Sequence, residues 1–217
     1  MQNGYRAGAR AALPLAVALV GFGVSYGVLA RSAGMGILAP IVMSATTFAG
    51  SAQFAAASIL GTGGGVLAAV VAATLLNSRY VPIGLSVAPV SHGSFWRRLL
   101  RAQLVIDESW AIGNMGGGRY DLERIVGAGL VLYGAWVGST VAGVLAGDLV
   151  GDPARLGLDA AFPALFLALL APQLGDRRAV VAGVAGAAIA LVLVPFSAAG
   201  VPVIAASAAC LIGTRRS

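Results

Sequence analysis

Lysine is absent from this chain, and charge of either sign is scarce: 10% of its 217 residues are charged, against a mean hydropathy of +0.90. Soluble domains carry roughly 25% charged residues, so this composition is that of an integral membrane protein. All 14 basic residues are arginine. Most stand at the ends of apolar segments, where they set topology and touch anionic headgroups, so the high isoelectric point does not argue for nucleic-acid binding. The single cysteine, Cys210, excludes an internal disulfide and a cysteine metal cluster. The single histidine, His92, in a chain without an HExxH motif excludes a zincin site. There is no Walker loop, so ATP hydrolysis lacks its residues. No enzyme activity, cofactor or metal is expected.

Apolar runs are what the chain has in quantity. They occupy 11–30, 37–60, 64–90, 125–147, 157–174, 179–197 and 200–214. None shows the period-two alternation of a membrane barrel, so all are expected to be helices. The expected fold is an all-α polytopic membrane protein of six to seven transmembrane or re-entrant helices. It forms one integral membrane domain, 1–217, with a first three-helix unit at 11–90, a linker at 91–124 and a second helical unit at 125–214. Arg6 and Arg10 ahead of the stretch Leu13 to Ala30 imitate a signal peptide. Gly21, Gly23, Ser25, Tyr26 and Gly27 interrupt its apolar core, which favours a retained span.

The linker holds five arginines, four acids, His92 and Gly116-Gly117-Gly118. Within it, Phe95-Trp96-Arg97-Arg98-Leu99-Leu100-Arg101 has the pattern of an interfacial amphipathic piece. The positive-inside rule places it in the cytoplasm with Arg177, Arg178, Arg215 and Arg216, and turns the connection at Asp148, Asp152 and Arg155 outward. Seven full spans would leave Arg6 and Arg10 outside. If 37–60 is re-entrant, six spans bring both termini inside, and the polar middle of that segment favours this version.

Glycine and proline should interrupt several helices: Gly21 to Gly27 in the first, Pro82 and Pro89 in the third, Pro163 and Pro172 around the fifth, and Pro195 at the end of the sixth. Gly134, Gly138, Gly143 and Gly147 instead suit close helix packing. A 3+3 inverted repeat is faintly visible, with Gly34-Met35-Gly36 echoing Leu156-Gly157-Leu158.

Polar residues at bilayer depth are the candidates for function, because a bilayer interior offers them no water. Ser44, Thr47 and Ser51 recur at helical spacing, Thr46 and Gly50 lie four apart, and Gln53 follows. Hydroxyls and an amide can hold a zwitterion without burying a charge; alternatively they bond their own i−4 carbonyls. Arg79, in Asn77-Ser78-Arg79-Tyr80, costs at least ~2.5–3.5 kcal/mol at mid-bilayer unless paired or hydrated. It can fork onto a carboxylate, pair with an acid of another helix, or snorkel to the membrane edge. Asp107 and Glu108 are adjacent acids in apolar surroundings, an arrangement that raises a carboxyl pKa and suits a proton carrier; two solvated surface acids are the alternative. Asp159 can cap the helix after it or meet an ammonium group or proton. The residues thus indicate a solute pathway. Its substrate-binding candidates are Gly23, Ser25, Ser44, Thr47, Gly50, Ser51, Gln53, Asn77 and Arg79, and its proton-coupling candidates are Asp107, Glu108 and Asp159. A channel-like pore and a non-transporting scaffold subunit are the competing classes.

Four motifs in order, Phe48-Ala49-Gly50-Ser51-Ala52-Gln53-Phe54, Asn77-Ser78-Arg79-Tyr80, Asp107-Glu108-Ser109 and Gly157-Leu158-Asp159 through Phe166, resemble the AzlC family. So does the opening from Pro14 through Gly27, and the resemblance covers about residues 11–175. It implies the large subunit of a branched-chain amino-acid exporter of a bacterial inner membrane, working with a small AzlD-like membrane subunit. Two departures, Tyr80 where the family often reads histidine and Ala160-Ala161 where Phe-Ala is common, mark positions at which substrate preference would diverge.

Overall fold

A computed structural model describes residues 2–116, 118–150, 177–197 and 201–210, with Leu167, Ala171 and Leu174 as isolated positions. The chain forms α1 Gln2–Ser32, α2 Leu38–Thr47, α3 Gly50–Gly61, α4 Val66–Asn77, α5 Tyr80–Val87, α6 Phe95–Ala102, α7 Asp107–Gly113, α8 Leu122–Val150, α9 Arg177–Leu193 and α10 Val201–Ala206. Among the described residues no strand forms beyond an isolated bridge between Asn114 and Tyr120. Among the described residues three stretches are long and apolar enough to cross a bilayer, Gly4–Ser32, Leu122–Gly147 and Arg177–Phe196, and α4 continuing into Tyr80–Val90 makes a fourth with a 40° bend. This is an all-α membrane protein. Asp159, Pro163, Pro172 and most of the segment 157–174, on which the repeat depends, lie outside the described residues.

Helices α1 and α8 form the spine. A methyl group on Gly8 would strike the Arg124 carbonyl, one on Gly127 the Tyr5 backbone, one on Gly27 the Thr140 carbonyl, and one on Gly143 the Val24 backbone. Missing side chains let the two backbones touch, which substitutes for the hydrophobic drive that lipid cannot supply. The first helix is consequently continuous through Gly21 to Gly27, and through Pro14, contrary to the expected interruption. Gly23 and Gly27 are contact positions rather than a break. Gly143 and Gly147 also pack as expected, but Gly134 and Gly138 have no neighbour near the Cβ position among the described residues.

Contacts along the spine advance together, Gly4 with Glu123, Gly27 with Thr140, Gly147 with Arg31, so α1 and α8 run parallel. Their amino-terminal ends therefore share one side, and the 91–121 linker lies on it too. The α6 and α7 helices, of 8 and 7 residues, fall far below the roughly 20 needed to cross. Between Ser32 and Ser91 the chain must then cross once more, not twice. The bent α4–α5 pair supplies that crossing, and α2–α3 returns to the side where it began. Gln53 on α3 donates to Ser44 Oγ on α2 at 2.8 Å. Nine residues of straight helix would hold those positions about 13 Å apart, so the two short helices fold toward each other.

The α4–α5 bend follows from Pro82. Its missing N–H would have bonded the Ser78 carbonyl, and its ring crowds that group. Val81 N–H takes the Ser78 carbonyl instead, at 3.0 Å, and tightens the turn.

Candidate functional site

The two interruptions face each other. At the first, Phe48 takes the left-handed conformation, φ 44° and ψ 50°, which L side chains rarely adopt. Side chains from afar hold it there. The Ala45 carbonyl at the end of α2 accepts from Tyr133 Oη at 2.8 Å and from Gln103 Nε2 at 3.2 Å, and Gln103 also donates to the Thr46 carbonyl at 3.0 Å. These bonds satisfy carbonyls that a helix end leaves open. The Phe48 ring stands edge-on to Tyr133, centroids 5.1 Å apart.

Behind the bend lies a closed polar network. Trp136 Nε1 donates to Gln53 Oε1 at 3.0 Å and Ala49 N–H donates to the same oxygen at 3.3 Å. The Gln53 amide nitrogen donates to Ser44. Thr140 Oγ1 gives its proton to the Trp136 carbonyl at 2.9 Å, so Ser44 is the donor in the 2.9 Å bond joining Ser44 and Thr140. Ser44, Gln53 and Thr140 are fully buried. A network satisfied on every side binds protein to protein and leaves nothing for a solute.

At the second interruption, Arg79 Nη2 donates to Ser51 Oγ at 2.9 Å and pairs with Asp107 Oδ2 at 3.0 Å. The guanidinium also lies 5.3 Å from the centroid of the Tyr80 ring. Arg79 and Asp107 remain about two-fifths exposed, because they border a cavity of about 520 Å³. Its lining combines Gly50, Ser51, Arg79, Asp107 and Glu108 with the apolar and aromatic side chains of Leu19, Phe22, Phe54, Trp110 and Trp136, and Phe48, Tyr80 and Ile106 complete the wall. The first turn of α3, bearing Gly50 and Ser51, carries amide N–H groups without helical acceptors and a positive dipole end. Glu108 sits in α7, a helix too short to span. Its burial pushes the carboxyl above the ordinary carboxylate range, and the charge of Asp107 adds to the rise.

The candidates thus separate. Gly50, Ser51, Arg79, Asp107 and Glu108 meet at the cavity, while Ser44 and Gln53 belong to the network behind it. Gly23 packs on the Ser139 side chain, and Ser25 donates to its own i−4 carbonyl, that of Gly21, at 2.9 Å. Thr47 borders a neighbouring groove. Asn77 ends α4, and its Oδ1 is buried without a hydrogen-bond partner among the described residues. Asp159 lies outside the described residues. Sequence reasoning missed the aromatic half of the site. Trp110 stands next to the acid motif and could have been read as part of it, whereas Trp136 and Thr140 reside in a stretch whose only local signal is close helix packing.

The lining suits a small dipolar solute with an aliphatic body: a cation, a hydroxyl, a helix N-terminus and carboxylates share one cavity with apolar and aromatic side chains. The profile of the AzlC protein family matches residues 14–150, which contain every group just described at the cavity. The chain belongs to the AzlC family. Among relatives, an uncharacterized membrane protein of Archaeoglobus fulgidus is 30% identical over 215 residues, 94% of this chain and 91% of the relative. The branched-chain amino acid transport protein AzlC of Bacillus subtilis is 26% identical over 164 residues, 74% of this chain and 64% of that protein. An uncharacterized membrane protein of Helicobacter pylori is 24% identical over 154 residues, 70% of this chain and 67% of that protein. No solved structure matches this AzlC-family chain.

Proposed function

We propose that this AzlC-family protein exports branched-chain amino acids across a bacterial inner membrane, coupled to the proton gradient and acting with a small AzlD-like subunit. The observation that carries the reading is the meeting of two helix interruptions at one cavity, where Arg79 is shared between Ser51 of the first motif and Asp107 of the third. Likeness to the Bacillus subtilis transport protein supplies the substrate class. The arginine-rich linker and the amino terminus share a side, which the positive-inside rule assigns to the cytoplasm.

In the mechanism we infer, Asp107 occupies Arg79 while the site is empty. An arriving carboxylate displaces it, forking onto Arg79 with Ser51 and the α3 amides behind it. Asp107, released, turns to the ammonium group, and Glu108 exchanges the coupling proton. The aliphatic side chain settles against Phe54, Phe22 and Leu19. A methylene in such a pocket is worth only ~1–3 kcal/mol, so leucine, isoleucine and valine are all accepted, with methionine close behind.

The test is leucine counterflow in proteoliposomes, with and without the candidate small subunit, joined to intracellular leucine measured after a leucine-containing dipeptide load. Saturable counterflow that responds to an imposed pH gradient, together with higher intracellular leucine when the gene is missing, is expected. Linear flux indifferent to the gradient would make the protein a channel. No flux in either preparation, with equal leucine in both strains, would make it a scaffold.

A further inference from the structure

We propose that the groove between α5 and α6 is a binding site for an anionic phospholipid. This second cavity, about 610 Å³, is distinct from the solute site and shares only a wall with it. Along α6 each residue advances by about 100°, which sets Phe95, Trp96, Leu99 and Leu100 on one arc and Arg97, Arg98 and Arg101 on the other. The four apolar side chains are 49% to 70% exposed, a face that water would not tolerate and that a bilayer interface accepts.

The groove opens at the seam between those arcs. Ile83, Gly84 and Val87 of α5 face Leu99 of α6 across it, while Arg98 and Arg101 stand at its border. Arg101 Nη1 donates to the His92 carbonyl at 2.9 Å, which fixes its position. Among the described residues no acid lines the groove, so none of them neutralises the two guanidinium charges from within. Apolar walls under a cationic border match an acyl chain beneath a phosphate; a zwitterion or free phosphate would leave those walls unfilled. Phe48, Tyr80 and Ile106 line both cavities, so a seated lipid would support the back of the solute site.

Purified protein would be exposed to phosphatidylglycerol or phosphatidylcholine in detergent and retained lipid counted by native mass spectrometry, with glycerol 3-phosphate as competitor. Preferential retention of phosphatidylglycerol is expected. It should fall roughly five-fold in Arg98→Gln and again in the double variant with Arg101→Gln. Arg98→Lys should retain it, and Gly84→Leu, which fills the groove and keeps the charges, should lose it. Glycerol 3-phosphate should displace nothing. Monodisperse elution of each variant verifies folding. Equal retention of both lipids, unchanged by the arginine variants, would overturn the proposal, as would displacement by glycerol 3-phosphate. A third overturning result uses Ala102→Cys in a Cys210→Ser background. If a charged, water-soluble thiol reagent labels it equally fast with and without phosphatidylglycerol, the groove is an aqueous vestibule.

Discussion

Arg79 holds two partners at once, and both lie on segments far from it in the chain. Charge-assisted hydrogen bonds contribute about 1.5–3 kcal/mol each. Arg79→Ala should therefore reduce the initial counterflow rate roughly ten- to a hundred-fold, with little change in melting temperature, since the side chain is two-fifths exposed. Arg79→Lys keeps the charge without the planar fork and should fall between. Ser44→Ala should behave in the opposite way. It leaves the Gln53 amide without its acceptor and Thr140 without its donor, and should lower stability by about 1–3 kcal/mol in denaturant titration, with transport declining only as folded protein is lost. Glu108 supplies a pH dependence. Its folded-state pKa is raised by burial above the ordinary value of 4.5, so the neutral carboxyl's stabilising contribution is full below that value and is lost as pH rises through the raised one. Glu108→Gln should flatten the melting temperature across that window and remove the same limb from the transport rate.

The α1–α8 pair and the α2–α3 turn are built by opposite devices. The pair depends on atoms that are absent: Gly143→Ala places a methyl on the Val24 backbone and should cost about 1–3 kcal/mol. Gly138→Ala on the same helix meets no atom of the described residues and should be neutral or slightly stabilising. Comparison of the two by thermal unfolding in detergent separates packing from propensity. The turn depends on atoms that are present, contributed by Tyr133, Gln103, Trp136 and Thr140. Pro82 made the α4–α5 bend legible in the sequence, because a missing N–H acts locally. Phe48 offered no such sign. Neither glycine nor proline marks it, and its conformation is imposed by residues 55 to 92 positions further on. The Gly21 to Gly27 stretch misled for the same reason, since glycine reads as a break until a second backbone is seen against it.

Parallel pairing of α1 with α8 decides the course of the chain between them. One crossing and one return are required, and only α2–α3, folded over the Gln53–Ser44 bond, can be the return. Single cysteines in a Cys210→Ser background test this directly. Arg6→Cys and His92→Cys should react with a membrane-impermeant thiol reagent from one side, and Ile37→Cys and Thr62→Cys from the other. Labelling of Ile37→Cys and Thr62→Cys from different sides would mean that α2–α3 spans. The lipid-facing belt agrees with a membrane setting, with Val17, Leu67 and Leu191 each about three-quarters exposed.

Composition settled that this is a membrane protein, because 59% hydrophobic and 10% charged residues admit no other solvent for the outer surface, and the lack of period-two alternation in its apolar runs made it helical. Ordered motifs likewise announced the family and the polar residues of the cavity lining, since Ser51, Arg79, Asp107 and Glu108 are conspicuous wherever lipid is expected. Which polar groups face the cavity and which are sealed behind it was decided only by tertiary structure. Ser44 and Ser51 are alike in local sequence. One is closed off by Thr140 and Gln53, the other is open to Arg79, and those partners arrive from other helices through packing that no local pattern encodes.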